Sequence, residues 1–112
     1  MKKISTLGEQ LRVIRDKSNL SLREVANSIG IDTSLLGKIE RNERQATKEQ
    51  VKLIAAYYQL DEKKLIKELI SDQFAYKALE EEGEALQILK EAEQKVKYRI
   101  NKDKSINETT ES

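Results

Sequence analysis

The stretch Ser21–Ile39, SLREVANSIGIDTSLLGKI, decides the fold of this chain. Ser21, with a glutamate three residues later, has the spacing of a capping box and predicts the start of a short helix. Gly30 lies where that helix must end, because glycine adopts the positive φ of a helix terminus without steric cost. Asp32 is a candidate N-cap for a second short helix. Two short helices cross steeply only when a small residue lies at their contact, and Ala26 supplies it.

Further helices are predicted on both sides of this pair, because apolar residues recur there at helical spacing. Asn42 can close the second short helix, since Asn tolerates the left-handed region. The other predicted helices are about Ser5–Lys17, Thr47–Tyr58, Asp61–Leu79 and, after a break at Glu80–Gly83, Leu86–Ile100. With no Pro and only four Gly, this pattern predicts an all-α fold.

Composition narrows the possible functions. The 112 residues include no Cys and no His, which removes disulfides, thiolate ligands and the commonest general base. An enzyme would have to rely on carboxylates and lysines, and no convergent pair is visible, so we expect neither catalysis nor a cofactor. The glutamates of Glu80–Glu84 do not predict a metal site, because they do not converge on one point and instead complement a helix dipole.

Hydropathy and charge bear on location and partners. No apolar run approaches the roughly 20 residues that span a bilayer, and no apolar signal core follows the N-terminus, so we expect a cytoplasmic protein without membrane contact. The net charge is +1, but residues 1–60 carry eleven basic and seven acidic side chains, whereas residues 61–112 carry ten and thirteen. This asymmetry predicts different partners for the two halves.

The pattern as a whole resembles the phage-repressor or xenobiotic-response-element family of helix-turn-helix transcription regulators. The resemblance extends from Leu7 to about Ile66 and rests on Leu7-Gly8, Arg12, Arg15, Leu20-Ser21, Glu24-Val25-Ala26, Gly30-Ile31, Ile39-Glu40-Arg41, Arg44, Ile54-Ala55 and Leu60-Asp61. It implies that residues 1–70 form a five-helix bundle like that of lambda repressor. It also implies a homodimer that binds a palindromic operator in double-stranded DNA and acts as a repressor.

The resemblance assigns roles to individual residues. The helix Asp32–Arg41 is the expected recognition helix, which enters the major groove. The residues expected to contact bases are Thr33, Ser34, Gly37 and Lys38. The residues expected to contact phosphates are Ser21, Arg23, Arg41 and Arg44. Arg15 and Glu40 match an internal ion pair that joins the first helix to the recognition helix.

Leu22 and Gly37 are unusual residues for a helix-turn-helix segment. Leu22 stands where the family often has a Gln that anchors the DNA backbone, so that contact is either lost or supplied by Arg23. Gly37 weakens the recognition helix by roughly 1 kcal/mol relative to Ala. It either permits close approach to a base or a thymine methyl group, or it is simply a small residue without a role.

The helical extension at 71–100 lies beyond most of the resemblance. Its apolar stripe needs a partner surface, because it is narrow and flanked by charges. The stripe can fold back on the bundle or pair with a second copy, and we predict pairing through Leu86, Leu89, Ala92 and Val96. From residue 101 the chain lacks a periodic apolar face, which predicts a disordered tail at 101–112.

Other functions stay open at this point. An antitoxin or a restriction-modification controller would use the same domain to regulate its own operon. A protein-interaction module would dock a partner through the acidic C-terminal helix and would show no salt-dependent affinity for DNA.

Overall fold

The computed structural model describes the backbone of residues 4–111 and the side chains of residues 4–104. Over this range the chain forms six α-helices and no β-strand, which confirms the predicted all-α class. The chain divides between Gln73 and Phe74 into two compact units. The helices are α1 (Leu7–Lys17), α2 (Leu22–Ile29), α3 (Thr33–Glu40), α4 (Lys48–Tyr58), α5 (Glu62–Leu79) and α6 (Ala85–Glu111). None of the described helices is both long and apolar enough to span a bilayer.

Several helices begin at the capping residues that the sequence indicates. Ser21 and Thr47 each form a complete capping box, in which the hydroxyl and the side chain three residues later accept each other's backbone N–H groups. Asp61 caps α5, since its Oδ1 accepts the N–H of Lys64 at 3.3 Å. Asp32 occupies the N-cap position of α3 but makes no side-chain capping hydrogen bond. The predicted starts of α2, α4 and α5 are therefore confirmed, and so is the capping box predicted at Ser21.

The first helix begins at Leu7, two residues later than the sequence predicted, because Thr6 caps it. The hydroxyl of Thr6 accepts the N–H of Glu9 at 3.2 Å. The N–H of Leu7 donates to Asp72 Oδ2 of α5 at 2.8 Å, which satisfies one of the donors that a helix N-terminus leaves unpaired. Burial raises the pKa of Asp72 above its usual range, although the hydrogen bond from Leu7 opposes this shift.

Residues with positive φ end the first four helices, and Asn19 follows α1 at φ 56°. Gly30 ends α2 at φ 76°, and Asn42 follows α3 at φ 62°, as the sequence predicted. Gln59 ends α4 at φ 57°. A left-handed conformation costs roughly 1–2 kcal/mol for a residue with a Cβ, and Gln59 carries no sequence signal for it.

The core of the first unit draws side chains from all five of its helices. In that core α3 packs against α1 and α2, and α2 packs against α4. The contact between α1 and α3 is especially close at Gly8, where a Cβ would collide with the carbonyl oxygen of Ile39 and lie 2.9 Å from Asn42 Oδ1. The buried apolar side chains of this core are those of Leu7, Leu11, Val25, Ala26, Ile29, Leu36, Ile39, Ala46, Val51, Ile54, Ala55, Leu65 and Leu69.

The second unit contains the end of α5, a turn through Gly83 at φ 79°, and α6. Ala78 is buried, at 3% exposure. The backbone of α6 continues to Glu111, past the predicted start of a disordered tail at Asn101, and no Gly or Pro follows Gly83 to interrupt it. Ser112 and the side chains of residues 105–111 lie outside the described part of the chain, as do residues 1–3 of the predicted first domain. The domain limits stay predictions.

Candidate nucleic-acid interface

The turn between α2 and α3 sets the direction of the second helix. Ala26 is fully buried, and its carbonyl oxygen accepts the N–H groups of both Gly30 and Ile31, the latter at 3.0 Å. The left-handed Gly30 then turns the chain, and α3 begins when Leu36 N–H donates to the carbonyl of Asp32 at 3.1 Å. The predicted helix-turn-helix geometry therefore rests on one small residue and one glycine.

The outer face of α3 carries three of the predicted base-contacting residues. Ser34 and Lys38 are exposed, and Thr33 is half-buried at the first helical position. Leu36 and Ile39 are buried on the opposite side. The outer face therefore offers two hydroxyl groups and one ammonium group, which are donors and acceptors suited to base edges in a major groove.

Gly37, the fourth predicted base contact, has a different setting. It is buried, and a Cβ at this position would lie 3.0 Å from Arg41 Nη1 and 3.6 Å from Leu22 Cδ1. The absence of a side chain therefore makes room for the guanidinium of Arg41. In this conformation a base contact by Gly37 would require that guanidinium to move.

The end of α3 brings a carboxylate close to two of the predicted DNA contacts. Arg41 Nη2 donates to Glu43 Oε2 at 3.0 Å, and both side chains are about half exposed. The hydrogen bond and charge of Arg41 lower the pKa of Glu43, with a smaller contribution from the charge of Lys38. Arg41 can bind a phosphate only in competition with Glu43.

The remaining predicted phosphate contacts lie on either side of α3. Ser21 caps the N-terminus of α2, where the backbone dipole favours an anion, and Arg23 is exposed at the second position of the same helix. Arg44 is exposed in the loop that follows α3. Among residues 4–104, none of the ion pairs includes Arg23, Lys38 or Arg44.

Arg15 and Glu40 lie in contact and join α1 to α3. Arg15 Nε donates to Glu40 Oε2 at 3.0 Å and to Oε1 at 3.1 Å, and Nη2 donates to Oε1 at 3.1 Å. Nη1 donates to the carbonyl of Leu20 at 2.9 Å. The side chain of Glu40 is only 3% exposed and that of Arg15 is 14% exposed. The hydrogen bonds to Glu40 raise the pKa of Arg15, although burial opposes this shift.

A depression of about 180 Å³ lies between α1 and α3, and one of the residues that line it is Arg12, to which the sequence assigned no individual role. The side chain of Arg12 is 63% exposed. The spacing of Arg12 and Arg15 on one helix was a signal for this shared face. The other lining residues are Leu22, Gly37, Glu40 and Arg41. The guanidinium groups of Arg12 and Arg41 on its rim are partly exposed and can donate hydrogen bonds to a phosphate oxygen.

The predicted dimerisation residues lie on α6 in the second unit. Leu86 is 77% exposed and Val96 is 53% exposed. Leu89 and Ala92 line a groove of about 250 Å³ together with Phe74 and other side chains of the same unit. Over the side chains of residues 4–104, no group of three or more carboxylates could hold a metal ion.

Comparison with known proteins agrees with this geometry. The model of a family described as a helix-turn-helix domain matches residues 6–65. The fold is similar to that of the clp gene regulator ClgR from Corynebacterium glutamicum, with 21% identity, a TM-score of 0.50, and coverage of 80% of this chain and 84% of that chain. It is also similar to a chain of the SinR protein/SinI protein complex, with 20% identity, a TM-score of 0.51, and coverage of 86% and 99%. Comparison with curated proteins finds no match.

Proposed function

Because the chain belongs to the helix-turn-helix domain family, we propose that it binds double-stranded DNA in a sequence-specific manner and regulates transcription. The observation that carries this proposal is the outer face of α3. Thr33, Ser34 and Lys38 lie on it, and the exposed cations Arg23 and Arg44 belong to the elements that precede and follow α3 along the chain. Two hydroxyl groups and one ammonium group on α3, with guanidinium groups before and after it along the chain, suit base edges flanked by phosphates.

The proposed contacts divide between specificity and affinity. Lys38 donates to the O6 and N7 acceptors of a guanine, and the methyl group of Thr33 touches a thymine methyl group. Arg23 and Arg44 neutralise phosphates, with Ser21 at the N-terminus of α2. These phosphate contacts fix the position of α3 in the groove without reading sequence.

The depression beside α3 extends this phosphate-binding surface. Leu22 offers no hydrogen bond to the DNA backbone at its position, but Arg12 and Arg41 border the same depression. We propose that these two guanidinium groups supply the contact that a Gln at position 22 would otherwise make. We leave Arg15 out of this contact, because its side chain is only 14% exposed and Glu40 and the carbonyl of Leu20 already take three of its five N–H groups.

We further propose that the protein is a homodimer and a repressor. Two copies double the recognition surface, and a two-fold axis requires a palindromic operator with half-sites about one DNA turn, roughly 34 Å, apart. The stripe on α6 supplies the interface, because apolar residues on it are exposed in the single chain. A helix-turn-helix domain bound at an operator represses most simply by occupying the site.

A DNA-binding titration tests the recognition face. Specific and scrambled duplexes, the specific one selected from a random pool, are titrated at several salt concentrations. Lys38→Ala is expected to cost roughly 1–3 kcal/mol on the selected duplex and to relax the preference at one base pair per half-site. Arg44→Ala is expected to weaken both duplexes about equally and to flatten the salt dependence. Lys64→Ala, an exposed lysine on α5, is the matched control and should change neither.

Two outcomes would contradict this division of roles. If Lys38→Ala weakens both duplexes equally while Arg44→Ala loses discrimination, the base and phosphate contacts are reversed. If the wild-type chain binds no duplex even at low salt, DNA binding itself is wrong. A protein-interaction module then becomes the better description of the chain.

Truncation after Leu79 tests the interface. The buried core of the first unit ends at Leu69, so the truncated chain retains every residue of that core. We expect a folded monomer with much weaker operator affinity, measured by sedimentation and by the same titration. A truncated chain that still sediments as a dimer would place the interface outside α6.

A further inference from the structure

The second unit has an uneven distribution of charge along its length. Residues 74–93 include two lysines and six glutamates, whereas residues 95–104 include five basic residues and one aspartate. Gln94 separates the acidic segment from the basic segment. Every side chain from residue 93 to residue 104 is exposed. Four of the six glutamates precede α6, so within the helix itself Glu91 and Glu93 lie just before Gln94 and a strongly basic segment follows it.

The helix dipole accounts for the glutamates of Glu80–Glu84, which precede α6, but not for the charges farther along the helix. Charges complement the dipole only in the first and last turns of a helix. The helix α6 extends from Ala85 to Glu111, so Glu91 and Glu93 lie beyond its first turn. Lys95 and Lys97 lie near its middle, many residues before its end. These charges need a different explanation.

Apolar residues accompany the charges along the same helix. Leu89, Val96 and Ile100 share one face by helical spacing, and Val96 and Ile100 are 53% and 55% exposed. The one ion pair between the charged segments, Lys97 Nζ to Glu93 Oε1 at 3.0 Å, has both side chains about 60% exposed. Such an exposed pair is weak, so both groups are available for other partners.

We propose that α6 pairs with α6 of a second copy in antiparallel orientation. This proposal rests on the homodimer proposed above and specifies its geometry. The two-fold axis lies near Gln94, so that Glu91 and Glu93 of each copy face Lys95 and Lys97 of the partner subunit. The apolar face that includes Val96 is buried between the two helices. A parallel pair would place glutamate against glutamate and lysine against lysine, which opposes association.

Charge reversal tests the orientation without DNA. Two double variants of the full chain, Glu91→Lys/Glu93→Lys and Lys95→Glu/Lys97→Glu, each convert the proposed attractive contacts into repulsive ones. Each should weaken self-association roughly tenfold or more in sedimentation equilibrium, and an equimolar mixture of the two should associate again. Glu49→Lys/Glu62→Lys, on α4 and α5, changes the net charge as the first variant does and should leave association unchanged.

Cysteine cross-linking supplies an independent measurement, because the chain has no cysteine of its own. In the antiparallel pair, residue 89 of one copy lies near residue 100 of the other. A mixture of the Leu89→Cys and Ile100→Cys variants should form a mixed disulfide-linked dimer under oxidation, while each variant alone should form little. Efficient cross-linking of each variant with itself would indicate a parallel pair and overturn the proposal.

The outcomes separate this inference from DNA binding. A wild-type chain that stays monomeric overturns the α6 pairing, and so does a dimer that both charge reversals leave unchanged. Neither result bears on the outer face of α3, which the duplex titration measures. Conversely, the chain can fail to bind DNA while each charge reversal weakens self-association and mixing of the two variants restores it. That result supports the antiparallel pair and refutes only the proposed DNA binding.

Discussion

Replacement of Arg15 by alanine gives the sharpest test of how this fold is held together. In the native chain the guanidinium group makes three hydrogen bonds to Glu40 and one to the carbonyl of Leu20. The variant loses all four and leaves the carboxylate of Glu40 without its partner, although its side chain is only 3% exposed. A buried carboxylate without a cation or hydrogen bonds is unfavourable, because it has given up its hydration.

The expected loss is large relative to the stability of a small domain. Breaking a buried ion pair by removal of one partner costs about 3–5 kcal/mol, whereas total stability is about 5–15 kcal/mol. Each kcal/mol shifts the Tm of a domain this small by roughly 4–8 °C. We therefore expect Arg15→Ala to lower the Tm by more than about 10 °C.

Thermal and urea unfolding followed by circular dichroism measure this loss. The control is Arg12→Ala, because Arg12 Nε is 3.9 Å from Asp16 in a pair with both side chains more than 60% exposed, and it should cost under about 1 kcal/mol. The double variant Arg15→Met/Glu40→Leu should recover most of the stability, since it removes both charges and keeps apolar volume. If Arg15→Ala costs no more than Arg12→Ala, the ion pair does not stabilise the contact between α1 and α3.

Three further substitutions test other parts of the fold. Gly8→Ala should destabilise the chain by about 1–3 kcal/mol or more in urea unfolding, because its methyl group meets backbone of α3; wild-type stability would refute this close approach. Gln59→Gly should stabilise the fold by roughly 0.5–1 kcal/mol, because glycine adopts the left-handed conformation without strain. Gln73→Gly, inside α5, should destabilise the fold by about 1 kcal/mol. Equal effects of the two substitutions would contradict the left-handed conformation of Gln59. Burial raises the pKa of Asp72, so its ionised form is disfavoured in the folded state and its contribution to stability falls as pH rises through that pKa. Asp72→Asn still accepts the N–H of Leu7 and should therefore have a larger free energy of unfolding than wild type at pH 7. The difference in stability between the two proteins should close as pH falls below the usual carboxyl range. A constant difference across pH would refute this.

The antiparallel pairing of α6 connects the two proposals. The helix-turn-helix unit presents one recognition face, and a dimer about a two-fold axis presents two. The orientation of the interface therefore contributes to the half-site spacing that the dimer can read. Selection of bound DNA from a random pool gives that spacing directly, and it can be compared with the cross-linked dimer.

Local signals in the sequence determined the class of fold and several of the element boundaries. The capping boxes at Ser21 and Thr47, the glycine at 30 and the asparagine at 42 act within a few residues of themselves, so short stretches of sequence are sufficient to reveal them. The same holds for the helical periodicity that predicted an all-α chain. The pairing of Arg15 with Glu40 came from the resemblance to a family rather than from spacing.

Tertiary structure decided the features that depend on contacts between distant residues. Asp72 caps α1 across 65 positions, and nothing near either residue indicates it. Gly37 leaves room for the side chain of Arg41, and Gly8 leaves room for the backbone of α3. The effect of a missing Cβ depends on which groups pack next to it, so the sequence alone did not indicate either contact. Capping and turn formation involve residues within about one helical turn of each other, so a short stretch of sequence is sufficient to predict them. Burial and close approach of helices arise only when the packed helices bring distant segments of the chain together.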